Sequence, residues 1–189
     1  KQSSVLTNFD GTLNSIGTLA HELGHAYHGL HIQDHKPLNT HYTMPVAETA
    51  STFNENVIMS AAIDQATGEE KLALIESQLQ DFTQTICDIY SRFVFEDTVF
   101  NKTKDEFLFP DQLKAIMTGA QIKAYGEGLD PEYRHPFMWT CKGHYYSEQL
   151  SYYNFPYAFG ALFSKGLYAM YRKEGESFVP KYQELLKAT

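Results

Sequence analysis

The sequence predicts a mostly α-helical domain with one or two short strands near its N-terminus. Three observations predict it. Apolar residues recur at helical spacing over most of the chain. Only one early segment, Val5–Phe9, reads as extended. Composition is that of one globular domain, residues 1–189, with 43% hydrophobic and 20% charged residues, so a sizeable core can form.

Taken in order, Val5–Phe9 (VLTNF) is a short strand closed by the turn pair Asp10-Gly11. Asn14 or Ser15 caps a helix that runs to about Tyr27, with Ile16, Leu19, Ala20, Leu23 and Ala26 on its apolar face and Gly29 placed to end it. Residues 30–43 read as a loop. A second helix covers about Pro45 to Gln65, its proline in the tolerated first turn. A long helix from Glu69 to about Asn101 repeats Leu72, Ile75, Leu79, Phe82, Ile86, Ile89 and Phe93. Asp111 opens another, which ends near Gly126 or Gly128. Residues 129–155 are irregular, and a last pair covers about Pro156 to Arg172 and about Val179 to Lys187.

Composition excludes several function classes. Net charge is −8 and no Lys/Arg-rich run occurs, so a nucleic-acid footprint is absent. No apolar run approaches the roughly 20 residues that cross a bilayer. The start, Lys1-Gln2-Ser3-Ser4, lacks the apolar segment of a secretion signal. Cys87 and Cys141 stand far apart and outside any metal-ligand spacing, and read as free thiols of a cytoplasmic protein.

The informative string is His21-Glu22-Leu23-Gly24-His25. Residues four apart on a helix share a face, roughly 6 Å apart at Cβ. Two imidazoles so placed can bind one tetrahedral zinc. Glu22, between them, is left to act as base toward water. The competing reading is a solvated helix bearing two histidines. Against it stand the helical context, an apolar opposite face, and Gly24, which is small enough to let another segment approach closely.

A zinc site of this kind needs a third protein ligand. His31, ten residues after His21, has the spacing of HExxHxxGxxH, but the required turn glycine is replaced by His28 and comes one place late, at Gly29. Glu48, early on the next helix, follows a loop long enough for the chain to reverse and present a carboxylate; it is the better placed of the two. Glu55 lies two turns further on the same face, where it could orient a ligand histidine or form a solvent ion pair. His28, His35 and His41 read as loop or helix-surface residues.

HELGHAYH followed by PVAETASTFNE, then GHYY at Gly143–Tyr146 and YYNFPYAFG at Tyr152–Gly160, resembles the thimet oligopeptidase/oligoendopeptidase F family of zinc peptidases, and most closely its bacterial oligoendopeptidase F branch. The resemblance covers nearly the whole chain. It implies a zincin-like helical metallopeptidase catalytic domain, one Zn²⁺ held by His21, His25 and Glu48, Glu22 as catalytic base, and short peptides as substrates. It further implies that His144 and Tyr157 stabilise the developing oxyanion while Tyr145, Tyr152 and Tyr153 help bind substrate. Phe155 stands where some relatives carry Tyr. His135 is a further candidate cleft residue. Family members are much longer, so the chain is expected to be a C-terminal catalytic portion whose partner is the N-terminal helical part of the same protein. A metal-binding module that holds peptides without cleaving them is the competing class.

Overall fold

The computed structural model describes residues 3–189, and most of these are helical. Seven α-helices occur among the described residues: α1 Leu13–Ile32, α2 Met44–Gln65, α3 Gly68–Thr83, α4 Ile89–Lys102, α5 Pro110–Tyr125, α6 Phe155–Glu174 and α7 Val179–Lys187. Short 3₁₀ turns lie in several of the connections. The expected N-terminal strand is absent: among the described residues no extended segment pairs with Val5–Phe9. A strand needs a ladder neighbour to satisfy its backbone, and none is supplied.

Helix α1 begins two to three residues earlier than the sequence suggested. Thr12 caps it, its hydroxyl accepting from Ser15 N at 3.2 Å, while the Asp10 carboxylate accepts from Thr12 N at 3.0 Å. The helix also runs through Gly29 to Ile32. Gly29 does not take the left-handed conformation that would stop it, and Ile32 is buried at the far end.

The predicted long helix is α3 and α4 joined through a π-turn at Gln84–Asp88. The buried face differs from the expected one. Leu72, Ile75, Leu79, Ile86 and Phe93 are exposed, and of the predicted row only Ile89 is buried. Leu74 is buried on α3; on α4 Ser91, Arg92, Phe95 and Glu96 are buried with Ile89. A π-turn inserts a residue into the helical count, so one 3.6-residue frame does not describe both sides of it.

The chain forms two compact units, residues 1–78 with 159–189 and residues 79–158. The core of the first is built from Ala50, Phe53, Leu167, Phe178, Tyr182 and Leu186, with Tyr27, Tyr168 and Tyr171 packed against it. Phe53 stacks on Tyr182 with ring centroids 4.4 Å apart. Much of the C-terminal tyrosine content is therefore structural. The second core is Phe95, Met117 and Ala120 beneath Met138, Trp139 and Tyr145. Cys87 and Cys141 are both free.

Candidate metal centre

Helix α1 places His21 and His25 one turn apart, and α2 packs along it. The pairs His21–Glu55 and His25–Glu48 show the two helices running antiparallel. Their contact is closest at Gly24: a Cβ there would stand 2.5 Å from Ala50 O and from Ser51 Cα. Only glycine permits that approach, and the approach brings Glu48 to the histidines. From α6, the backbone at Gly160 leaves only 3.0 Å between an added Cβ and Glu48 Cβ.

Three ligand atoms converge. His21 Nε2 and His25 Nε2 are 3.1 Å apart, and Glu48 Oε2 is 3.3 Å from the first and 3.7 Å from the second. A tetrahedral zinc with bonds of roughly 2.0–2.1 Å separates its ligand atoms by about 3.3 Å. The triangle therefore fits a zinc ion with one coordination position open. These are the three residues among those described that could together hold a metal.

The surroundings prepare the donors. His21 Nδ1 donates to Glu55 Oε1, which turns Nε2 toward the triangle. Burial opposes a charge on His21, but hydrogen bonds and charges from Glu48 and Glu55 outweigh it and push its pKa up to about 10. The hydrogen bond with His21, with help from Ser51 and the nearby histidine charges, holds the Glu48 carboxyl below the usual range against its burial. Ser51 Oγ lies 3.0 Å from Glu48 Oε2. Glu22 sits half-buried between the two histidine positions.

The other histidines fall elsewhere. Because α1 continues, His31 stays helical and lies roughly 9 Å along the axis beyond His25; its ring packs edge-on against Tyr27 at 4.6 Å. His28, expected at the surface, is fully buried. It stacks on Tyr42 at 4.2 Å and its Nε2 bonds Thr189 Oγ1 at 2.7 Å. Its position three residues after His25 turns it toward the helix neighbours that close the first unit. His35 bonds the Asn39 carbonyl, and His41 is exposed.

In the second unit, His144, Tyr153 and Tyr157 form a ring cluster. His144 stacks on Tyr153 at 5.1 Å and stands 6.4 Å from Tyr157, and the two tyrosines meet edge-on at 6.0 Å. His144 Nδ1 is buried without a hydrogen-bond partner. Tyr145 and Tyr152, expected at a substrate cleft, both make packing contacts. The Tyr145 hydroxyl donates to the Arg92 carbonyl and its ring packs on Phe95. Tyr152, in the left-handed region at φ 56°, gives its hydroxyl to Asp97 and its ring to Phe93 and Phe100. His135 accepts from Phe137 N in its own turn, while its backbone exchanges two hydrogen bonds with the Gln121 side chain.

Several supporting residues were not singled out from the sequence. Ser51 shares the Glu48 face by its three-residue spacing, a signal present but unused. Buried Arg92 pairs with Asp88 and donates to Asn154 Oδ1 at 3.0 Å. Buried Glu96 accepts from Tyr152 N at 2.8 Å, which holds that residue's unusual backbone in place. Charged residues four apart inside an apolar helix were the available clue.

A sequence family described as Peptidase family M3 matches residues 1–188. The chain is 28% identical over 187 residues to Oligopeptidase PepF of Bacillus subtilis, covering 97% of this chain and 28% of that one. It is 29% identical over 159 residues to the chromosomal oligoendopeptidase F of Lactococcus lactis subsp. cremoris, covering 82% and 26%. A crystal structure of a presumed peptidase from Chlamydophila abortus shares the fold with a TM-score of 0.81 at 23% identity, over 95% of this chain and 30% of that one. The chain thus spans less than a third of the length of these relatives.

Proposed function

The chain belongs to peptidase family M3, and from that premise we propose that it carries the catalytic core of a zinc-dependent endopeptidase acting on short peptides. The observation that supports this most is the triangle of His21 Nε2, His25 Nε2 and Glu48 Oε2, whose edges of 3.1, 3.3 and 3.7 Å match tetrahedral coordination.

His21, His25 and Glu48 hold the metal, one per chain. Zinc, when bound, supplies Lewis acidity that acidifies water and polarises a carbonyl. Glu55 fixes the His21 ring, since its carboxylate accepts the Nδ1 proton. Glu22, held by α1 between the two ligand positions, takes a proton from the attacking water and returns it to the leaving amine. On the family's pattern His144 and Tyr157 supply hydrogen-bond donors to the oxyanion, and Tyr153 supports them through its ring contacts with both. The Tyr145 and Tyr152 hydroxyls, already engaged, take no part.

Among the described residues no helix is long and apolar enough to cross a membrane. Two free cysteines support a cytoplasmic location. The remainder of a longer polypeptide, as in the relatives, is the proposed partner that completes the substrate channel.

The test is Glu22→Gln in the full-length protein. It is expected to keep about one zinc per chain and to lose peptide turnover. Turnover retained in that variant would remove Glu22 as base. Peptide binding without cleavage by the wild type would favour the non-catalytic module instead.

A further inference from the structure

A serine inside a helix commonly returns its hydroxyl to the carbonyl three or four residues back. Ser51 has that option and a second one. Its Oγ lies 3.0 Å from the Glu48 main-chain oxygen and 3.0 Å from Glu48 Oε2. A hydroxyl carries one proton, and a carboxylate is the stronger acceptor. Ser51 is fully buried, so water does not compete for that proton.

The position is tightly enclosed. Ser51 Cα lies where Gly24 admits no side chain, and a Cβ added to Gly160 would stand 3.0 Å from Glu48 Cβ. Helix α6 thus runs close to the stem of Glu48, while the carboxylate is bonded by Ser51 at Oε2, the same oxygen that faces both histidine nitrogens.

We propose that Ser51 is a positioning residue for the metal centre, its hydroxyl holding the Glu48 carboxylate so that Oε2 alone is presented to the ion. This rests on the zinc reading of His21, His25 and Glu48. Thr52 provides an internal contrast: its hydroxyl bonds the Glu48 main-chain oxygen and leaves the carboxylate untouched.

The experiment is zinc affinity by chelator competition in the full-length protein. Ser51→Ala is expected to weaken zinc by about 10- to 100-fold, the range for loss of a partner to a metal ligand, and Thr52→Val to leave it unchanged. In a Glu48→Ala background, adding Ser51→Ala is expected to cost no further affinity. Wild-type affinity in Ser51→Ala overturns the assignment. So does a loss that persists undiminished in the Glu48→Ala background, which marks a general structural effect. A wild type that takes up no zinc at all brings down the metal reading itself, and Ser51's role with it.

Discussion

Gly24 lies against the backbone of Ser51 so closely that a Cβ on the glycine would stand 2.5 Å from Ser51 Cα. Neither atom can rotate away, because the obstacle is main chain on both helices. Gly24→Ala must therefore part α1 from α2 and draw Glu48 off the histidines. The expected result is a destabilisation of about 1–3 kcal/mol, typical of overpacking, together with weakened zinc binding. Thermal melting and zinc titration check it; an unchanged melting temperature would mean that the helices are not in backbone contact.

Zinc uptake at neutral pH should release a proton. In the metal-free protein His21 is held protonated by Glu48 and Glu55, with a pKa pushed up to about 10, whereas a ligand histidine must be neutral. Affinity should therefore rise with pH from neutrality toward that value. Calorimetric titration in buffers of different ionisation enthalpy measures the protons released. No buffer dependence at pH 7 would show that His21 is already neutral.

Glu96 should make stability depend on pH. Burial raises its carboxyl above the ordinary value of 4.5, although the hydrogen bond from Tyr152 N opposes the shift. The folded state thus binds a proton more tightly than the unfolded chain. Its stabilising contribution is complete below about 4.5 and is lost as pH rises through the folded value. Glu96→Gln keeps an acceptor for Tyr152 N and removes the charge. It is expected to raise the melting temperature at pH 7.5 more than at pH 5; an equal shift at both would show that Glu96 does not titrate in this range.

His28 should act in the opposite sense. Burial, then the charges of His25 and His31, lower its pKa from the ordinary 6.5. The unfolded chain takes up a proton below 6.5 that the buried ring refuses, so stability is present above 6.5 and falls as pH drops through the folded value. His28→Phe keeps a ring for Tyr42 and abolishes the titration. Its melting temperature should fall less than the wild type's between pH 7.5 and pH 5.5, and an identical fall in both would assign the acid sensitivity to other groups.

The helices were legible because their signals are local: Pro45 in a first turn, the apolar period of α1, the glycines after α5. The pairing of His21 with His25 was legible for the same reason, as its geometry is set by one turn of helix. Gly24 could be read as a point of close approach from its place in the motif. What escaped was non-local. Val5–Phe9 has strand composition, yet composition cannot supply a neighbour to pair with. The row from Leu72 to Phe93 has the right period, yet period alone does not choose which face is covered, and the π-turn at Gln84–Asp88 breaks the frame. His28 looked like a surface residue because the partners that bury it, Tyr42 and Thr189, come from a loop and from the far end of the chain. Tyr152 shares a motif with Tyr153 and Tyr157, and Tyr145 adjoins His144, but Arg92 and Asp97 on α4 take up the Tyr145 and Tyr152 hydroxyls.

The bond between His28 and Thr189 joins residues 161 positions apart, and Tyr182 and Leu186 complete the same core. During synthesis α1 leaves the ribosome well before the segment that covers its flank. Loop closure over such a span is slow, and the apolar side of α1 and α2 stays open to water meanwhile. The first unit must therefore acquire its finished form after synthesis has passed α7. A nascent chain arrested before Phe178 would display the three ligands on an uncovered helix pair, a sticky intermediate for chaperones to shield.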